Sequence, residues 1–202
     1  MRTYFLALLA TLASSPLAFA TEGRLESLTT NGSGCPIQSD LKVPYAFDGQ
    51  WLTVELNKAF SIKVVKGNGL SLEDSRKNCA ITLQLQPPTG YRYAVERVVS
   101  WGTYQLSAND QFVGSMNGFF EGDGRTFSTS ADAQGPSSTQ NYTFDRNLSG
   151  SNLVWSDCNA DSALTLNAAL RVAPSSNNGR YATRSTGSLD RIAFRFVYQK
   201  CY

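Results

Sequence analysis

The chain has 202 residues, 42% of them hydrophobic, with 18 Lys and Arg against 16 Asp and Glu, a formal net charge of +2 and no histidine. That length forms one domain able to bury a real core, and a charge so near zero supplies no field to attract nucleic acid or an anionic membrane. The missing histidine removes the usual general base, the Ser-His and Cys-His nucleophile systems, and the commonest zinc or copper ligand, so most hydrolase mechanisms are excluded.

Met1 and Arg2 make a short basic start, Phe5 to Leu12 an apolar run too short to span a bilayer, and Ala18-Phe19-Ala20 a small-x-small cleavage site. Residues 1–20 therefore read as a secretory signal and residues 21–202 as a single secreted domain beginning at Thr21. Losing Arg2 leaves 17 Lys and Arg against 16 Asp and Glu, a net charge of +1. No later apolar stretch approaches a membrane span, and the C-terminal segment lacks the spacer and apolar tail of a lipid-anchor signal.

Beyond the signal, period-two alternation predicts strands with one buried face. It runs through Leu41, Val43, Tyr45 and Phe47, then Leu52, Val54 and Leu56, then Ile81, Leu83 and Leu85. From Tyr91 to Trp101 one face carries Tyr91, Tyr93, Val95, Val99 and Trp101, interrupted by Arg97; this places Trp101, and Trp155 with it, among core residues. Ser128 to Thr143, rich in small polar residues, reads as a long surface loop or a weak edge strand. Asp161 could cap a helix, but Leu164, Leu166, Ala168, Leu170 and Val172 alternate, which favours a strand. The last run sets Ile192, Phe194, Phe196 and Tyr198 against Arg191, Arg195 and Gln199. Turn chemistry separates the runs at Asp48-Gly49, Lys66 to Gly69, Pro87 to Gly90, Glu121 to Gly124 and Asn177 to Gly179. About ten short strands without a long helix define an all-β chain: an antiparallel two-sheet sandwich, jelly-roll-like and stapled by disulfides.

Four cysteines, Cys35, Cys79, Cys158 and Cys201, meet an oxidising compartment if the chain is secreted, and pairing is then the default. Three pairings are open to arithmetic alone. Local pairing, Cys35 with Cys79 and Cys158 with Cys201, is the expected pattern; each bridge would close a loop of roughly 45 residues and stabilise by about 4 kcal/mol through chain entropy. Asn31, Asn141 and Asn147 head Asn-x-Ser/Thr acceptor motifs for N-linked sugar, with Asn141 and Asn147 the stronger sites because Asn31 sits beside Cys35.

Carboxylate chemistry survives the loss of histidine, since a glycosidase needs two acids facing each other across a cleft. Glu55, Glu73, Asp74, Glu96, Glu121 and Asp123 are candidates, but nothing in their spacing selects a pair, and each reads first as a solvent-facing or turn residue. Glu121 to Gly124 lacks the repeated ligands of a calcium loop and is better explained as a hairpin turn. Asp157 and Asp161 form a second acidic cluster that reads equally as a solvated turn. Trp51, Trp101 and Trp155 could stack on sugar if exposed. No catalytic residue, metal site or cofactor is therefore assigned.

Taken together, Thr30-Asn-Gly-Ser-Gly-Cys-Pro36, Asp74-Ser-Arg-Lys-Asn-Cys79, Leu83-Gln-Leu-Gln-Pro-Pro-Thr-Gly90, Leu153-Val-Trp-Ser-Asp-Cys158 and the Leu164 to Val172 run resemble a family of small secreted fungal proteins classed as a domain of unknown function. The resemblance spans nearly all of residues 21–202. It implies one secreted all-β domain with paired cysteines, matched here by Cys35, Cys79, Cys158 and Cys201, of a kind released by filamentous fungi on plant or animal hosts. It transfers no catalytic residue. The Arg76-Lys77-Asn78 lead into Cys79 reads as a turn, with surface recognition as the alternative. The function expected is a non-enzymatic, extracellular interaction protein, an effector or virulence factor at the host interface or fungal wall. A carbohydrate-binding module or a carboxylate-dependent glycan hydrolase are the alternatives. The expected partner is a host extracellular protein or a wall polysaccharide, with no nucleic acid, no membrane and a monomeric state.

Overall fold

Alternation of apolar and polar residues produces twelve strands, which the computed structural model describes within residues 23–35, 43–59, 62–67, 69–158, 163–174 and 184–202. The signal at 1–20, Thr21, Leu41, Asn68, Asp161 and the turn at Asn177 to Gly179 lie outside the described residues. In chain order the first strands are β1 (Arg24–Asn31), β2 (Tyr45–Phe47), β3 (Trp51–Glu55) and β4 (Ile62–Lys66). There follow β5 (Arg76–Gln86), β6 (Tyr91–Leu106), β7 (Asp110–Phe120) and β8 (Thr126–Gln134). The last four are β9 (Ser137–Asn147), β10 (Leu164–Pro174), β11 (Ser185–Leu189) and β12 (Arg191–Lys200). Among the described residues only short helical turns, Leu56–Ala59 and Gly150–Asn152, interrupt them. No described helix is long and apolar enough to cross a membrane.

Two antiparallel sheets result. The five-stranded sheet has the order β1-β5-β10-β7-β8; the seven-stranded sheet runs β2-β3-β12-β6-β11-β4, with β9 paired to β6. The stretch expected as a loop or weak edge strand is in fact two strands, β8 on the five-stranded sheet and β9 on the other, because its Ala131 and Tyr142 supply buried positions that the polar composition hides. The expected strand over Leu164 to Val172 is β10, which buries every second residue of that run. Gly90 and Gly122 adopt φ of 82° and 81° in the β5–β6 and β7–β8 turns, a conformation that costs a residue with a Cβ.

The inner faces interlock through aromatic contacts, which add to the ~1.5–3 kcal/mol each large side chain gains on burial. Phe112 of β7 meets Tyr142 of β9 at 5.3 Å between ring centroids, and Tyr93 of β6 meets Phe120 of β7 edge-on at 5.2 Å. A buried ion pair between Lys66 of β4 and Asp110 of β7 also joins the sheets, and the Ser185 hydroxyl donates to the second Asp110 oxygen at 2.6 Å. Cys35 bonds to Cys79 and Cys158 to Cys201, with Cα separations of 5.2 and 6.1 Å. The first bridge is wholly buried beneath β5.

One departure from simple alternation reshapes the seven-stranded sheet. Opposite β12, Arg195 pairs with Arg97 and Phe196 with Val95, so Glu96 is an extra residue in β6. This bulge reverses the strand's parity. Tyr93 and Val95 point into the core before it, Val98 after it, and Trp101 is excluded from the core cluster. The sequence-based placement of Trp101 and Trp155 in the core is therefore corrected. Trp101 turns outward beyond the bulge, and Trp155, bridged to Ala94, shares that outer face.

Candidate functional site

The outer face of the five-stranded sheet is set by the residues that alternate with the core. Register places them in rows across the strands. One row reads Thr29, Thr82, Thr165, Phe119 and Thr126; the next reads Asn31, Ala80, Asn167, Asn117 and Ser128. A third carries Asn78, Ala169, Ser115 and Ser130. No side chain in these rows is charged. They are short, so the face is shallow, and they present hydroxyl and amide groups that both donate and accept hydrogen bonds. Thr82 and Thr165 hydroxyls lie 3.1 Å apart, and the Asn78 amide donates to Asn167 at 3.3 Å, which orients neighbouring rows. Phe119 stands among them 39% exposed, the one aromatic of these rows.

The seven-stranded sheet presents a different outer face. Its tryptophans are capped by guanidinium groups: Arg191 over Trp101 at 4.1 Å, Arg92 over Trp155 at 5.1 Å and Arg97 over Trp51 at 5.9 Å. Arg191 and Arg97 in turn meet carboxylates, while Arg92 donates to Gln199 at 2.6 Å. Arg195 pairs with Glu96 at 2.9 Å, Arg191 with Glu55 at 4.0 Å, and Arg97 Nε donates to Asp145 at 2.7 Å. Hydrogen bonds from Arg97 hold Asp145 below the usual carboxylate range.

The candidate carboxylates fall in three separate places. Glu55 and Glu96 sit in these outer-face ion pairs of the seven-stranded sheet, while Glu73 and Asp74 occupy the turn before β5. Ser71 donates twice to Asp74, at 2.9 Å from both hydroxyl and backbone N–H, and lowers its pKa. Glu121 and Asp123 lie in the β7–β8 turn, beside Asp157 in a cleft of about 370 Å³. There Arg125 binds Asp123 at 2.6 Å and holds its carboxyl well below the ordinary value. This is the reverse of the raised pKa a general acid requires. Among the described residues no group of three or more His, Cys, Asp or Glu is placed to hold a metal ion.

The acceptor asparagines Asn31, Asn141 and Asn147 are all exposed. Asn31 ends β1 at the border of the neutral face, whereas Asn141 and Asn147 lie on β9 of the other sheet. The threonine and asparagine rows were not singled out from sequence. Their signal was the choice of Thr, Asn, Ser and Ala at the polar positions of β5, β7 and β10, where solvent alone would accept Lys or Glu.

Fold and faces define a disulfide-braced β-sandwich with one uncharged, hydrogen-bonding sheet surface. The chain belongs to the family described as Domain of unknown function (DUF4360), which matches residues 22–201. A relative described as an uncharacterized secreted protein, from Arthroderma benhamiae, is 26% identical over 153 residues, 76% of this chain; the chain spans 60% of that relative's length. Among solved structures, TmCBM61 in complex with β-1,4-galactotriose is 12% identical, covering 80% of this chain and 89% of that one at a TM-score of 0.30. A structure described as CBM4 structure and function is 8% identical, covering 90% and 81% at 0.21. Scores this low carry no argument about what the chain binds.

Proposed function

We propose that the protein is a secreted, non-catalytic binding protein that holds a wall polysaccharide on the outer face of its five-stranded sheet. The observation that carries this reading is the three uncharged rows around Phe119. A sugar chain offers hydroxyls that donate and accept, together with apolar C–H faces. Short amides and hydroxyls match the first and an exposed aromatic ring the second. A face built for an acidic or basic protein would carry charge in its centre.

Secretion is supported by the signal-like residues 1–20, the two disulfides and the secreted relative. Cleavage after Ala20 and sugar on Asn141 and Asn147 belong to the same reading; glycans there would shield the β9 edge and leave the neutral face open. Action as an effector at a host surface would use this same face on host glycans.

The test is sedimentation of purified protein with insoluble chitin, β-glucan and cellulose, followed by calorimetry with soluble oligosaccharides. Binding to at least one neutral glycan, abolished by Phe119→Ala together with Asn167→Ala, is the expected result. Absence of binding to every polysaccharide, or binding lost only when Trp51 or Trp101 is replaced, would overturn it.

A further inference from the structure

The neutral face ends in an unusual pair. In the row beyond Asn78 and Ala169, Arg76 of β5 stands directly opposite Arg171 of β10. Residues so paired bring their Cβ atoms to about 4.5–5.5 Å, and like charges in that position destabilise a sheet. Among the other described arginines, Arg24, Arg97, Arg125, Arg191 and Arg195 form ion pairs, and Arg92 and Arg146 donate to Gln199 and to backbone carbonyls. Neither Arg76 nor Arg171 forms an ion pair or a side-chain hydrogen bond with any described residue.

None of the nearby acids pairs with these guanidinium groups. Asp74 is taken by Ser71, Asp132 accepts the Gln111 amide at 2.9 Å, and Glu73 gives Arg76 only its backbone carbonyl, at 3.3 Å to the Arg76 N–H. Arg76 and Arg171 both line a cleft of about 430 Å³ whose other polar lining is Lys77, Ser33, Asn78 and Ser115. The Ser33 hydroxyl donates to the Asn78 side-chain oxygen at 3.0 Å, and that amide's NH2 points along the face toward Asn167. The cleft is therefore continuous with the neutral rows.

We infer that Arg76 and Arg171 clamp an anionic substituent, a carboxylate or a sulfate, on the polysaccharide that the neutral face holds. Two planar forks separated by one strand spacing can each make paired N–H···O bonds to the same oxyanion, and the bound anion removes the repulsion between them. The inference rests on the glycan reading and narrows it: the ligand is an acidic or partly acidic glycan, its uncharged sugars on the threonine and asparagine rows and its acidic sugar in the cleft.

Three oligosaccharides of equal length separate the possibilities: neutral galactan, galacturonate and sulfated galactan. At low salt at least one acidic ligand should bind about tenfold more tightly than the neutral one, and which acidic ligand does so distinguishes carboxylate from sulfate. The advantage should vanish with added salt, and in Arg76→Gln or Arg171→Gln, while neutral affinity stays unchanged. Equal binding of acidic and neutral ligands, or an advantage that survives both substitutions, would overturn the clamp. Should no oligosaccharide bind, the glycan reading fails and the clamp is read alone, by following arginine Nε–H resonances in titrations with sodium sulfate and with galacturonate. Saturable shifts at Arg76 and Arg171 sustain it, and their absence refutes it. Both residues are exposed, and unchanged melting of the two variants confirms that the fold is intact.

Discussion

The two outer faces of this sandwich solve the same problem, how to present a β-sheet to water, with opposite chemistry. On the seven-stranded sheet, tryptophans are roofed by arginines and the arginines are met by carboxylates or, for Arg92, by Gln199, so its charges are satisfied internally. On the five-stranded sheet, hydroxyls and amides stay near the surface with charge confined to the ends of the strands. Internal satisfaction leaves little for a ligand to gain. Groups whose present partner is water can exchange it for sugar hydroxyls at little cost.

That contrast breaks hardest beneath the neutral face. Replacing Cys35 and Cys79 together by Ala removes the brace under β5 and should lower stability by about 2–5 kcal/mol, read from urea unfolding, with glycan binding lost only as the fold is lost. On the opposite face, Trp101→Ala uncovers Arg191 and should cost about 1–2 kcal/mol in the same measurement, with binding unchanged. The converse substitution pair, Asn117→Ala with Asn167→Ala, should weaken glycan binding about tenfold in calorimetry while stability moves by no more than about 1 kcal/mol.

Acid sharpens the comparison. Asp145 is depressed by Arg97, and Asp48 by the backbone N–H groups of Trp51 and Gln50. A carboxyl whose folded pKa is lowered contributes stability that is present above its unfolded value, about 4, and fades as pH falls through the folded value. Melting temperature should therefore decline below about pH 4, and less steeply in Asp145→Asn. The central neutral rows contain no titratable side chain, so affinity for a neutral glycan should hold until unfolding begins. The smallest effect belongs to Tyr93, whose buried hydroxyl has no hydrogen-bond partner among the described residues. Tyr93→Phe should leave stability unchanged or raise it by about 1 kcal/mol, and a clear loss in urea unfolding would contradict that environment.

Composition and alternation made the sandwich legible, because β5 and β10 bury every second residue, and these strands and β12 carry Leu, Ile and Phe on the inner positions. The Glu96 bulge was not legible. A single inserted residue leaves local composition unchanged and shows only through the register with β12, which belongs to tertiary structure. Ser128 to Thr143 was obscured differently: β8 and β9 are built from Ser, Thr and Gln, and burial of a few aromatic and small residues decides their pairing. The neutral face escaped attention because binding by threonine and asparagine needs no motif. Its meaning comes from five strands lying side by side, and apart from the β7–β8 hairpin those neighbours are distant in the chain.

The place of β12 bears on how the molecule is made. This strand lies between β3 and β6 in the middle of the seven-stranded sheet, and its partners there precede it by 90 positions (Trp101 opposite Arg191) to 144 positions (Trp51 opposite Arg195). The centre of that sheet cannot close until Arg191–Lys200 has been synthesised, so β3 and β6 emerge without their shared neighbour. Pairings this distant fold slowly, on the millisecond-to-second scale. Assembly of the sandwich thus waits for β12, and a nascent chain kept open that long is suited to threading through a membrane channel before it folds.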